Sequence, residues 1–112
     1  MIEELQAEHR TLEALLEALP ESWPAARDAV LAHYARERSY LDRVRAHSPA
    51  VAAKLTAQHD EVEEIARELD RSLAAGHRDD VAYLTRRFRA LAQHNIIEEE
   101  RDVFPLRYDQ EV

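Results

Sequence analysis

The sequence predicts an all-α fold, an up-down-up-down bundle of four helices, on three observations. Ala (19) and Leu (13) dominate the 112 residues, while there is 1 Gly and there are 4 Pro. Ala and Leu lose little entropy in a helix, and a β-sandwich or a doubly wound α/β fold needs more turn residues than this. Apolar residues recur at the helical period between the few breaks, and those breaks leave connections only a few residues long, so sequential helices run antiparallel. The length is that of one ordinary domain, residues 1–112, and no linker, repeat or low-complexity tract divides it.

Each element follows from local punctuation. The first helix runs from about Ile2 to Leu19 and is stopped by Pro20. Glu21-Ser22-Trp23-Pro24 then offers a Ser cap and a proline suited to a first turn, opening a second helix from about Pro24 to His47. Ser48-Pro49 repeats that signal and opens the third helix, which continues to about Ala75. The single glycine, Gly76, stands where a helix end turns left-handed. Asp79 or Asp80 caps the fourth helix, which runs to about Phe104-Pro105.

Charge and composition exclude several function classes. The formal net charge is −8, so phosphate backbones and anionic membrane surfaces are repelled and neither nucleic acid nor membrane is expected as a partner. Without Cys there is no disulfide, thiolate metal site or thiol nucleophile. No apolar run approaches the ~18 residues of a membrane span, and MIEELQAEHR does not read as a secretion signal. A cytoplasmic protein is the expectation.

At 100° per residue, Leu5, His9, Leu12 and Leu16 fall in one stripe of helix 1, and Leu55, His59, Val62, Ala66, Leu69 and Leu73 in one stripe of helix 3. A histidine sits at the centre of each. The inner stripe of helix 2 holds Val30, Tyr34, Glu37, Leu41 and Val44, with His33 at its edge. That of helix 4 holds Leu84, Phe88, Leu91, Asn95, Glu98 and Asp102, with His94 at its edge. Carboxylates do not lie in a core without partners. Counted from the helix ends at ~1.5 Å per residue, His9, His33, Glu37, His59 and His94 come to one height of an antiparallel bundle.

Helices 2 and 4 each carry a His-x-x-x-Glu pair, His33/Glu37 and His94/Glu98, and residues four apart share a helix face. Imidazole with carboxylate suits iron, manganese or zinc. Four His and two Glu are too many ligands for one tetrahedral zinc and enough for two metals with open positions. The layer His9, His33, Glu37, His59, His94 and Glu98 thus reads as a dinuclear metal site.

A histidine, a His-x-x-x-Glu, a histidine and a second His-x-x-x-Glu spread over four helices resembles the hemerythrin-like HHE cation-binding family. Glu8-His9-Arg10 followed by Leu12 and Leu16, Gln58-His59-Asp60-Glu61, and His94 through Glu98-Glu99-Glu100 to Val103-Phe104-Pro105-Leu106 carry the likeness over nearly the whole chain. The resemblance implies a carboxylate-bridged centre of two Fe ions, with Mn or Zn as possible substitutes. It implies His9, His33, His59 and His94 as terminal ligands and Glu37 and Glu98 as bridges; layer geometry pairs His9 with His33 and His59 with His94. Hemerythrins that carry O2 reversibly have five His ligands and an Asp five residues after the last, whereas here four His align and Glu98 and Glu99 stand at +4 and +5. Glu99 replaces Glu98 if helix 4 contains a π-bulge.

Three functions follow as expectations. The first is a metal centre that binds or senses O2, NO, peroxide or iron, with an unknown redox partner. The second is an oxidoreductase working on peroxide or NO with the same metals. The third, from another class, is a metal-free helical interaction module. Glu13 and Glu63, each four residues after a histidine but off the stripe centre, read as surface groups or extra ligands, and Tyr34 as packing or as a partner of a ligand.

Overall fold

A computed structural model describes residues 1–110. It contains α1 (Ile2–Glu17), α2 (Ala25–His47), α3 (Pro49–Ala75) and α4 (Arg78–Glu98). A π-helical turn, Glu99–Val103, and a 3-10 turn, Phe104–Leu106, follow directly on α4. Each helix packs on its neighbours in chain order and α4 closes against α1, the square arrangement of an up-down-up-down bundle. The body measures 52 × 24 × 19 Å. Among the described residues, no helix is long and apolar enough to cross a membrane.

Residues 18–24 form the turn that joins α1 to α2. Ser22 does not cap α2, because its hydroxyl donates to the Leu15 carbonyl at 2.6 Å, tying the turn back onto α1. Its neighbour Trp23 is buried, packs edge-on against Phe88 at 4.9 Å, and donates its indole N–H to Asp70 at 2.9 Å. Ser48 does cap α3: its hydroxyl accepts from the Val51 N–H at 3.4 Å, with Pro49 in the first turn. Gly76 ends α3 at φ +72°, where a side chain would be strained. His77, and not an aspartate, holds the capping position of α4; Asp79 and Asp80 lie inside its first turn, where negative charge faces the helix dipole favourably.

Buried apolar residues form two clusters along the bundle. One gathers Leu12, Leu16, Trp23, Val30, Val62, Leu69, Phe88 and Ile96 toward the end that carries the 18–24 turn. The other gathers Ile2, Leu5, Tyr40, Val44, Leu55, Val103 and Phe104 toward the opposite end. Between them lies a layer that is polar and buried.

The π turn decides which side chains close that layer. A π turn bonds i to i+5, so residues five apart share a face. Glu99 and Phe104 are accordingly both buried, at 1% exposure each. Phe104 stacks on His9 with ring centroids 5.4 Å apart and meets Tyr40 edge-on, so it seals the layer from the second cluster.

Candidate metal centre

Five buried side chains make the layer: His9 from α1, His33 and Glu37 from α2, His59 from α3 and Glu99 from the start of the π turn. His33 and Glu37 stand one helical turn apart and touch directly through Nε2 and Oε1. His9 Nε2 lies 3.5 Å from Glu37 Oε1 and 3.2 Å from Glu99 Oε1. His59 Nε2 lies 3.3 Å from Glu37 Oε2 and 3.0 Å from Glu99 Oε2. Each carboxylate therefore turns one oxygen toward His9 and the other toward His59.

His94 and Glu98 are not brought into this layer. The His94 side chain is 63% exposed and its Nε2 meets Glu98 Oε2 at 3.1 Å, outside the layer. Glu98 is buried, at 6% exposure, but is held away from the layer by Lys54 and accepts from the Gln58 amide at 2.7 Å; the lysine, first, keeps its carboxyl below the ordinary range. The reason is the phase of α4. The helix keeps α geometry through Glu98 and buries Phe88, Ala92, Asn95 and Ile96, which puts His94 one step off the inner face. Glu99, four residues beyond the buried Asn95, points inward and takes the place expected for Glu98.

Contact alone does not satisfy these atoms. Both ring nitrogens of His9, His33 Nε2, both oxygens of Glu37 and Glu99 Oε1 are buried without a hydrogen-bond partner. Unmet buried polar atoms are costly, and six in one layer require a common partner. One donor atom each from His9, His33, Glu37 and Glu99 lies within 4.8 Å of all the others, the span across which a metal ion gathers ligands. The donor set fits a cation.

The electrostatics of the metal-free layer agree. Burial lowers the basicity of His9 and His59, but contacts with Glu37 and Glu99 outweigh it and hold both imidazoles at about 9. Burial likewise opposes ionisation of Glu37, yet His33, His59 and His9 keep its carboxyl well below the usual range. Glu99 moves the other way, raised by burial and then by repulsion from Glu37.

Supporting groups sit behind the ligating faces. His33 Nδ1 is 2.6 Å from Glu8 Oε1; a carboxylate only accepts, so Nδ1 donates there and Nε2 is the ring atom that faces Glu37. Glu8 is itself gripped by Arg36 at 2.5 Å. Behind His9, Nδ1 lies 3.8 Å from Glu100 Oε1, and Glu100 also pairs with Arg10. Glu8 and Glu100 were not singled out by sequence reasoning. Glu8 lies one position off the inner stripe of α1, and its partner is on another helix.

Tyr34 stacks face to face on His59, ring centroids 3.8 Å apart and 8° from parallel. Burial, then Glu99 and Glu37, hold its phenol protonated, well above its ordinary value. His59 lines a surface cavity of about 310 Å³ between α2 and α3, with Tyr34, Thr56 and Glu63. Glu63 borders this cavity, whereas Glu13 lies on the surface beside Arg10 at 3.1 Å.

Curated proteins and solved structures contain no match to this chain. A family model described as the hemerythrin HHE cation binding domain matches residues 1–106, which include all five layer residues. With a helical bundle and a buried His/Glu group able to take a cation, the chain belongs to the hemerythrin HHE cation-binding family.

Proposed function

We propose that the chain holds two iron ions in this layer and binds O2, NO or peroxide there. What supports the reading is the division of the two carboxylates. Oε1 of Glu37 and of Glu99 face His9, Oε1 of Glu37 also touches His33, and Oε2 of both face His59. Two cations held here would draw on both carboxylates, one with His9 and His33 and the other with His59. The side of the layer that His59 serves offers fewer protein donors. Imidazole with carboxylate is a donor set suited to iron, and the two ions supply reversible redox capacity and vacant coordination for a small ligand.

The chain's own residues do the rest. Glu8 fixes His33 so that its Nε2 faces inward. Tyr34 clamps the His59 ring, and Phe104 covers His9. The apolar clusters on both sides exclude bulk water. A diatomic reaches the centre from the α2–α3 cavity, which His59 borders. A metal-free interaction module leaves six buried polar atoms without a purpose.

Elemental analysis of protein purified from iron-supplemented cells, read beside its near-ultraviolet spectrum, tests this. The expected result is about two irons per chain with carboxylate-to-iron or oxo-bridge absorption, perturbed by NO or peroxide. One zinc per chain, or no metal under any loading, overturns it. Sustained O2 release from peroxide assigns turnover; its absence assigns binding.

A further inference from the structure

The end of the bundle that carries the 18–24 turn holds a second cavity, of about 440 Å³, between the C-terminal end of α3, the first three turns of α4 and Pro20. Thr85, on its wall, lies fourteen residues before Glu99, so about 20 Å of helix separates this cavity from the His/Glu layer. Its volume lies in the range of small-molecule sites.

The wall is apolar and the rim is cationic. Leu73, Val81 and Ala82 supply the wall, and Leu73 stands at 46% exposure, one of few large apolar side chains the bundle leaves open. The Thr85 hydroxyl is already donated to the Val81 carbonyl at 2.7 Å. Every charged side chain lining the cavity is an arginine: Arg78, Arg86 and Arg89. Arg89 is engaged, donating to the Leu16 and Leu19 carbonyls at 3.0 and 2.9 Å, which closes the end of α1. Among the described residues Arg78 and Arg86 have no acidic partner, whereas the adjacent Arg87, on another face, pairs with Glu61 at 3.0 Å. In a chain of net charge −8, acids are plentiful and none lines this cavity.

An apolar wall beside two uncommitted guanidinium groups is complementary to an amphipathic anion. Burying its chain removes apolar surface from water on both sides, and arginine suits carboxylate through paired N–H donors. We propose that this cavity binds a small aliphatic carboxylate, its chain against Leu73, Val81 and Ala82 and its head on Arg78 and Arg86. The site is independent of the metal layer.

The test is isothermal titration calorimetry of the full chain with decanoate below its micelle concentration, with decyltrimethylammonium as the equal-length cation. One decanoate per chain, no binding of the cation, loss of binding in Ala82→Trp and at least a tenfold weakening in Arg78→Glu/Arg86→Glu are expected. The variants should melt like the parent, as all three positions are exposed. Absence of one-to-one binding at ~1 mM decanoate overturns the proposal. So does unchanged affinity in either variant, or equal binding of the cationic amphiphile, which would leave the arginines no role.

Discussion

The sharpest consequence of the helix-4 phase is a contrast between two adjacent glutamates, Glu98→Ala and Glu99→Ala. Glu98 is itself only 6% exposed, but its partners Lys54 and His94 are each 63% exposed and meet it at the edge of the bundle, outside the layer. Removing a hydrogen-bonded carboxylate from such a covered site costs about 1–3 kcal/mol. Glu98→Ala should therefore lower the melting temperature by about 4–12 °C in a domain of this size and leave the metal content unchanged. Glu99 is 1% exposed and offers an oxygen to each half of the centre, 3.2 Å from His9 and 3.0 Å from His59. Its loss removes one donor from both halves at once. Removing groups that merely support ligands costs about 10–100-fold in metal affinity, so Glu99→Ala should exceed about 100-fold, or more than about 2.7 kcal/mol at 1.36 kcal/mol per decade. Competition against a chelator of known affinity measures this, with elemental analysis for stoichiometry and circular dichroism to verify folding. If Glu98→Ala loses metal while Glu99→Ala keeps two ions, the assigned phase of helix 4 is wrong. If both keep two ions, Glu99 is no ligand.

Three further outcomes are expected. Glu8→Gln should weaken metal binding by about 10–100-fold with little change in stability, because it keeps an acceptor for His33 Nδ1 but removes the negative charge behind the ring; chelator competition reads it. Tyr34→Ala should cost about 3 kcal/mol in chemical denaturation by opening a void against His59, while Tyr34→Phe keeps the stack and stays within about 1 kcal/mol. In metal-free protein, His9 and His59 titrate at about 9 folded against an ordinary 6.5, so the folded state binds the extra protons. Their contribution is complete below pH 6.5 and is lost as pH rises through 9, about a few kcal/mol in all. Denaturation midpoints that stay level from pH 6.5 to 9.5 would contradict the ion-paired layer.

Much of this molecule is legible in the chain because its punctuation is sparse and strong. Pro20, the Ser48-Pro49 pair and Gly76 mark breaks the structure places within two residues. With the ends known, helical rise alone brings His9, His33, Glu37 and His59 to one height. Helix 4 resists the same treatment. Three consecutive glutamates sit at 100° steps, so a small error of phase exchanges one for another, and the phase depends on where α geometry gives way to the π turn. Asn95 carried a usable signal. It lies in the inner stripe, and Glu99 follows it at the same four-residue interval that separates His33 from Glu37. Glu8 was beyond reach for a different reason: its significance lies in a partner 25 positions away on another helix.

The π turn also makes the two ends of the site separately adjustable. Glu99 is placed by the α register before the turn, and Phe104 by the widened register within it. Winding residues 99–103 as α-helix with all five retained would leave the acid where it is and swing the aromatic cover about 100° away from His9, whereas deleting one residue between positions 100 and 103 would bring that cover back, four residues beyond Glu99. The width of this one turn, and not the length of the chain, thus decides whether the polar layer is covered at its base.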